Sequence, residues 1–197
     1  MDLASRINLH FEDNARAKTA AAEGLCFPLA EATEALVQCL LANGKVLSCG
    51  VGGSAALAQY FSALMQAQFE RERPELAAID LTTSMPAISA MADAHGWEQV
   101  FAKQVRALGH PGDVLLLISP RGDSLCALAA IEAAHERDLR VIALVGADGG
   151  QAAAMLRPGD VTICVPHERI SRIQEVHLLA IHCLCDGVDC LLMGEET

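Results

Sequence analysis

Aromatic residues are scarce in this sequence: phenylalanine, tyrosine and tryptophan together make up 4% of its 197 residues. Aliphatic side chains must therefore fill the interior, because there are too few rings to build a core on them. Basic residues are also few, with 14 Lys and Arg against 25 Asp and Glu and a formal net charge of -11. Neutralising the phosphates of a nucleic acid requires clustered Lys and Arg. The sequence therefore predicts no direct contact with nucleic acid.

Long apolar runs and a secretory leader are missing as well. No uninterrupted apolar run reaches the roughly 18 residues that a membrane span requires, and the N-terminal residues mix charges with apolar side chains. We therefore expect a cytoplasmic protein without a membrane segment. The eight cysteines form no Cys-x-x-Cys pair and mostly stand in apolar runs. We interpret them as small core residues in a reducing compartment.

What the sequence does contain is a regular alternation of short apolar runs and helical stretches. Buried strands are predicted at about 46–49, 76–81, 114–118, 139–145 and 161–165. Near-continuous apolar strands separated by helices are typical of a parallel sheet that is covered on both faces. We therefore predict an α/β fold, a three-layer sandwich around a central parallel sheet, with its core at about 44–197.

Helical periodicity also precedes the first predicted strand. Apolar residues recur at three-to-four spacing over about 2–43. A break is expected between Gly24 and Pro28, because proline interrupts the helical hydrogen bonds, and Asn43 with Gly44 provides the stop. The sequence thus predicts two N-terminal helices, an extension over about 1–43, and a single domain over 1–197.

Two strand-to-helix turns carry hydroxyl side chains. The first turn is GVGGSA at 50–55 and the second is SPRGDS at 119–124. Ligands of open parallel sheets lie beyond the carboxyl ends of the strands, and a helix N-terminus at that edge favours an anion. We therefore expect the two turns to hold one phosphate together. The residues of the turns that we assign to this site are Gly52, Gly53, Ser54, Ser119 and Ser124.

Over nearly its whole length the sequence resembles the SIS (sugar isomerase) family, and within it the phosphoheptose isomerase and DnaA initiator-associating protein (DiaA) group. The resemblance rests on CGVGGSAALAQ at 49–59, QFERERP at 68–74, VFAKQVRALGHPGDVLLLIS at 100–119, ALVGADGG at 143–150 and RIQEVHLLAIHCLCD at 172–186. The family implies a flavodoxin-like sandwich and a homotetramer with its sites at subunit interfaces. Its isomerases convert sedoheptulose 7-phosphate to a heptose 7-phosphate, whereas DiaA binds the replication initiator DnaA.

The resemblance assigns the isomerase chemistry to four positions, a His and a Glu on the helix after the glycine turn and a Gln and a His on the last helix. These positions can also bind a divalent metal. In this sequence they are occupied by Tyr60, Leu64, Gln174 and His182. Leucine neither accepts a proton nor binds a metal, and zinc normally takes three or four protein ligands. We therefore predict no cofactor, because two ligand positions of the zinc site that the family implies are lost.

The phosphate turns also depart from the family pattern. Val51 replaces the Asn of G-N-G-G-S, Pro120 removes a backbone N–H, and Asp123 places a negative charge where the family has a neutral Asn. Arg121 partly offsets that charge, and Asp93 matches an Asn-Asp pair of the family. The resemblance thus implies a sugar-phosphate site that contains Gly52, Gly53, Ser54, Asp93, Ser119, Arg121, Ser124, Gln174 and His182.

Two other kinds of site remain as alternatives. Asp80 after the second predicted strand and the loose G-x-G-x-x-A of the first turn imitate a dinucleotide site. One face of the last helix fits either a different metal site or an interface, because four polar or metal-ligating residues recur there at helical spacing. These residues are His182, Cys185, Asp186 and Asp189.

From the lost base and the altered phosphate turns we predict a non-catalytic sugar-phosphate-binding protein of the DiaA type. It would act as a homotetramer by binding the initiator DnaA. The alternative is a phosphoheptose isomerase that uses a rearranged acid–base pair of His182 and Asp93. Its substrate would be sedoheptulose 7-phosphate and its product D-glycero-D-manno-heptose 7-phosphate.

Overall fold

Five strands and seven α-helices alternate along residues 2–194, which the structure, a computed structural model, describes. The strands are β1 Val46–Gly50, β2 Ala78–Asp80, β3 Val114–Ile118, β4 Arg140–Gly146 and β5 Val161–Val165. The helices are α1 Leu3–Leu41, α2 Gly53–Gln66, α3 Met85–His95, α4 Val100–Leu108, α5 Leu125–Glu136, α6 Gly150–Met155 and α7 Ile170–Met193. A single turn of 3-10 helix, Trp97–Gln99, precedes α4.

The strands form one parallel sheet in the order β2-β1-β3-β4-β5. In the central pair, Val46 of β1 lies opposite Val114 of β3, and Gly50 lies opposite Ile118. Parallel neighbours require long crossover connections, which the helices between the strands provide. The predicted α/β fold is therefore confirmed.

Helices cover both faces of the sheet and bury two apolar layers. α1, α2 and α7 pack on one face, where Leu36, Phe61 and Ile181 are completely buried. α3, α4, α5 and α6 cover the other face, with Phe101 and Ile131 in its interior. Aliphatic side chains dominate both layers, as the scarcity of aromatic residues predicts. The three-layer sandwich is thus confirmed.

The N-terminal segment differs from the prediction, because it is one helix rather than two. α1 continues without a break through Gly24 and Pro28. A proline inside a helix costs about 3 kcal/mol, but apolar burial on both sides of Pro28 offsets this cost. Leu25 before it and Leu36 after it are buried in the layer that α1 shares with α7. The predicted stop is confirmed by Asn43, which has a positive φ of 59°.

A buried arginine holds the C-terminal end of α2, which ends at Gln66. The guanidinium of Arg73 donates to the carbonyl oxygens of Leu64 (2.8 Å) and Met65 (2.9 Å), which belong to the last turns of α2. Its Nε pairs with Oδ1 of Asp189 on α7 at 2.5 Å. Hydrogen bonds from a cation satisfy terminal carbonyls and favour the negative end of the helix dipole. Arg73 therefore stabilises the end of α2 and joins it to α7.

Four of the eight cysteines are buried, two are exposed, and Cys164 and Cys190 are intermediate. Burial, with the nearby Asp113 carboxylate, raises the pKa of the Cys39 thiol to about 11, so this side chain stays protonated at neutral pH. The interpretation as core residues is confirmed for the buried group, which is Cys39, Cys49, Cys126 and Cys185. It is wrong for Cys26 and Cys183, which are exposed on α1 and α7.

α1 and α7 are long and apolar enough to cross a membrane if only length and composition are considered. A core helix of a soluble protein passes the same test. α7 and the second half of α1 bury apolar side chains in the layer that covers the sheet, as core helices do, whereas Leu3, Phe11 and Phe27 of α1 are exposed. These two helices are therefore weak evidence for a membrane span.

His177 of α7 is completely buried and makes one polar contact. Its Nε2–H donates to the carbonyl oxygen of Val145 in β4 at 2.9 Å. Burial lowers the pKa of the His177 imidazole from 6.5 to about 4, although the hydrogen bond to Val145 opposes the shift. The folded protein therefore holds His177 neutral at pH values where the unfolded chain already binds a proton.

We expect this histidine to make the folded state less stable as the pH falls. Between pH 6.5 and pH 4 the unfolded chain takes up a proton that the folded chain does not, so the free energy of unfolding should drop by about 3 kcal/mol. Urea unfolding at a series of pH values measures this slope. His177→Gln, which keeps a donor but does not titrate, should flatten it, and the exposed control His95→Gln should not. An unchanged slope in His177→Gln would contradict the assignment.

Candidate functional site

A cleft opens at the carboxyl edge of the sheet, where β1 and β3 end side by side. Its volume is about 400 Å³. Both hydroxyl-bearing turns and the first turn of α7 form its walls. The structure brings together five of the residues that the sequence assigns to the site, which are Ser54, Ser119, Arg121, Ser124 and Gln174.

The first turn depends on two glycines. Gly52 has a positive φ of 63°, a conformation that other residues rarely adopt. Gly53 lies so close to α7 that a Cβ atom would stand 2.6 Å from Nε2 of Gln174. The absence of a side chain at Gly53 therefore lets Gln174 approach the start of α2.

Ser54 supplies a buried hydroxyl without a partner. Its side chain is 1% exposed, and its Oγ has no hydrogen-bond partner within the described residues. A buried polar atom that lacks a partner costs about 1–3 kcal/mol. Because Ser54 borders the cleft, an oxygen atom of a bound ligand is a natural partner for this hydroxyl.

The second turn is held against the neighbouring turn after β4. Gly122 has a φ of 68°, and a Cβ atom on it would overlap the carbonyl oxygen of Gly149. One carboxylate oxygen of Asp123 accepts a hydrogen bond from the backbone N–H of Gln151 at 3.1 Å. Asp123 therefore anchors the turn to α6, and part of its negative charge is compensated by the N-terminal end of that helix.

The cleft has the electrostatic features of an anion site. Arg121 is exposed at its border, and its guanidinium makes no hydrogen bond or ion pair within residues 2–194. The N-termini of α2 and α5 meet at the cleft, since Ser54 lies in the first turn of α2 and Ser124 immediately precedes α5. Helix N-termini, hydroxyl groups and a free guanidinium together favour a phosphate.

Four predicted residues do not line the cleft, namely Gly52 and Gly53, which shape its first turn, and Asp93 and His182. Asp93 is exposed on α3, and His182 lies eight residues beyond Gln174 on α7, a distance of about 12 Å along the helix. The Nε2 atom of His182 is 3.1 Å from the Tyr60 hydroxyl. The ring of Phe69 lies 5.5 Å from the imidazole, centre to centre. His182 thus belongs to an aromatic cluster between α2 and α7.

The residues present do not fit the metal site that the family implies. Leu64 is a hydrocarbon at one ligand position, and the phenol of Tyr60 at another is already engaged with His182. Gln174 starts about 12 Å from His182 along α7 and lines the cleft, which His182 does not. Among residues 2–194, no three His, Cys, Asp or Glu side chains come together in a group able to hold a metal ion.

The alternative sites are occupied by structural contacts. The carboxylate of Asp80 accepts hydrogen bonds from the backbone and hydroxyl of Thr82, both at 3.0 Å, and from the hydroxyl of Thr83. The carboxylate therefore closes a turn after β2 and is not free to bind the hydroxyls of a ribose. On α7, Cys185 is buried in the core and Asp189 is paired with Arg73, which removes the different metal site on that face.

Several features of the site have no signal in the sequence. An apolar wall of the cleft is formed by Phe101 and Ile170, which look like ordinary core positions in a helical pattern. The contact between Tyr60 and His182 joins residues that are 122 positions apart. Only the path of α2 and α7 across the sheet brings them together.

Comparison with known proteins identifies relatives that span the whole chain. The SIS domain family matches residues 10–146. A curated phosphoheptose isomerase from Aromatoleum aromaticum is 58% identical over 196 residues, which cover 100% of this chain and 99% of the relative. The solved phosphoheptose isomerase GmhA of Neisseria gonorrhoeae superposes with a TM-score of 0.91 and 49% identity, covering 95% of this chain and 99% of that one. A phosphoheptose isomerase from Francisella tularensis gives 0.93 and 44%, covering 96% and 99%.

These relatives correct the functional prediction. The prediction of a non-catalytic protein of the DiaA type that acts by binding DnaA is wrong, because the full-length relatives are isomerases. The leaning against an enzyme is wrong for the same reason. That prediction relied on Tyr60 and Leu64 at two catalytic positions and on the altered phosphate turns, whereas the similarity extends over the whole chain. The chain belongs to the SIS domain family.

Proposed function

We propose that the chain is an isomerase of phosphorylated sugars that converts sedoheptulose 7-phosphate to D-glycero-D-manno-heptose 7-phosphate. The observation that carries this proposal is the similarity to curated phosphoheptose isomerases, which reaches 58% and 55% identity over the whole chain. The cleft at the ends of β1 and β3 supports it, because its donors suit the phosphate of such a substrate.

In this proposal the cleft holds the phosphate. Ser54, Ser119 and Ser124 donate their hydroxyls, and Arg121 contributes the positive charge. Gln174, held beside Gly53, is placed to contact an oxygen next to the phosphate. Charge-assisted hydrogen bonds of this kind fix the position of a substrate as well as its affinity.

The reaction itself requires a base that moves a proton from C1 to C2 of the ketose and an acid that moves a proton between the two oxygens. Leu64 cannot perform either task. We assign the acid–base role to His182, with Asp93 as the second candidate. The phosphate on C7 and the reacting carbons lie at opposite ends of the substrate, so the acid–base group belongs well away from the phosphate cleft.

A homotetramer would explain how His182 reaches the substrate. Within one chain His182 faces Tyr60 and not the cleft. Leu178 and Leu179 of α7 and Tyr60 of α2 are partly exposed beside it, as expected for a surface that a second copy covers. We propose that this surface meets the cleft of another copy in a cytoplasmic homotetramer, and that residues 1–197 fold as one SIS domain.

We expect the purified protein to convert sedoheptulose 7-phosphate to an aldoheptose phosphate. His182→Asn should lower kcat by about 10²- to 10⁴-fold, because it removes a general acid–base group. Product formation can be followed by NMR of the anomeric protons. Binding of the sugar phosphate without any turnover would contradict the proposed isomerase.

Arg121→Gln should weaken sugar-phosphate binding about tenfold or more, since it removes a charge-assisted hydrogen bond worth roughly 1.5–3 kcal/mol. Calorimetric titration at two salt concentrations measures the affinity and its electrostatic part. The matched control is Arg16→Gln, which removes an exposed arginine from α1 and should leave the affinity unchanged. Equal affinities of the two variants would show that Arg121 does not bind the phosphate.

Mixing two inactive variants tests whether one active site contains residues from two copies of the chain. Chains with Ser54→Val have a damaged cleft, and chains with His182→Asn lack the acid–base group. If one site takes its cleft and its histidine from different copies, unfolding and refolding the two together should restore part of the activity. Sedimentation velocity should show a tetramer in each case. Activity that stays at the level of the separate variants would rule out a composite site.

A further inference from the structure

Tyr60 stands at a position that the family resemblance gives to a metal ligand, and its side chain contacts the imidazole of His182. The Tyr60 hydroxyl lies 3.1 Å from Nε2 of His182, and the two rings meet edge to face with their centres 5.7 Å apart. Phe69 covers another side of the imidazole at 5.5 Å. The histidine is therefore held in place by side chains alone.

The direction of this hydrogen bond follows from the chemistry of the two groups. A phenol is a stronger acid than the N–H of a neutral imidazole, and an imidazole nitrogen is a better acceptor than a phenol oxygen. The hydroxyl of Tyr60 therefore donates to Nε2 of His182. The proton of the neutral imidazole then lies on Nδ1, and the lone pair of Nε2 is engaged.

Leu64, the other changed position on α2, also disfavours a metal ion at His182. Leu64 lies one helical turn after Tyr60 on α2 and is half-buried in the apolar layer with α7. Its side chain offers no charge to attract a cation to the pair. A metal ion at His182 would have to displace the phenol and would find a hydrocarbon as its next neighbour, which removes the binding free energy of a further ligand.

We propose that this chain has a metal-independent version of the family's site, in which the Tyr60 phenol replaces the metal as the partner of His182 and sets its tautomer. Tyr60 is thus a positioning residue, and its importance for catalysis rests on the proposed function. Two measurements test the proposal without any activity assay.

The first measurement is the tautomer of His182, read from the nitrogen-15 shifts of the imidazole. An isolated neutral imidazole side chain carries its proton mainly on Nε2, whereas the contact with Tyr60 requires Nδ1–H. Tyr60→Phe keeps the ring and removes only the hydroxyl, so the His182 signal should move to the Nε2–H pattern. Signals of His182 are identified by their loss in His182→Asn. A tautomer that is the same in wild type and Tyr60→Phe would overturn the role of Tyr60.

The second measurement is zinc content after purification without added metal and dialysis against zinc. The wild-type chain should hold much less than one zinc ion per chain. Tyr60→His with Leu64→Glu adds two ligands beside His182 and should bind zinc at least about tenfold more tightly than the control pair Tyr60→His with Leu64→Gln. Stoichiometric zinc in the wild type, or equal affinity of the two double variants, would overturn the proposal.

These outcomes are separable from those of the proposed function. If the wild-type protein shows no isomerase activity, the proposed function is contradicted. The measurements of the tautomer and of the zinc content still test the metal-independent site. A wild-type chain that binds zinc stoichiometrically would contradict the metal-independent site even if it turned over sedoheptulose 7-phosphate. A chelator should accordingly leave the wild-type turnover unchanged, within about twofold.

Discussion

The parallel pairing of β1 with β3 is the contact on which the cleft depends. Gly50 lies opposite Ile118 at the carboxyl ends of the two strands, so the turns at 50–55 and 119–124 begin next to each other. Two helix N-termini and three hydroxyls consequently face one volume, which is the usual ligand position in an open parallel sheet. A slip of one residue would turn the side chains of β3 to the opposite face and displace the second turn. The register that buries the core therefore also builds the anion site.

α7 carries its polar side chains at separate places along its length, and each of them makes a different contact. Its first turn gives Gln174 to the cleft, its middle buries His177 against β4, and its later turns carry His182 and Asp189. A helix rises 1.5 Å per residue, so Gln174 and His182 start about 12 Å apart along the axis. The proposed phosphate cleft and the pair of Tyr60 and His182 therefore lie at different places in one chain, and a second copy enters the proposed mechanism for this reason.

Tyr60 and Leu64 show how local chemistry can mislead a functional prediction. Their side chains remove a base and two ligands from a family motif, and from this loss a binding protein was predicted. Sequence identities of 58% and 55% over the whole chain to phosphoheptose isomerases overrule that argument. A changed motif indicates that acid–base groups and metal dependence differ, but it does not indicate how the rest of the site is used. The hydrogen bond between Tyr60 and His182 shows that the changed residues make a specific contact of their own.

Patterns within single segments were sufficient for the order of strands and helices, the parallel sheet and the two hydroxyl turns, because apolar periodicity and glycine-rich turns are local properties. They were not sufficient where distant segments compete or meet. Packing against α7 carries α1 through Pro28, a contact with Gln151 turns Asp123 towards α6, and the crossing of α2 and α7 pairs Tyr60 with His182. Each of these outcomes is a balance of contacts between residues far apart in the chain, and no local pattern contains their distances.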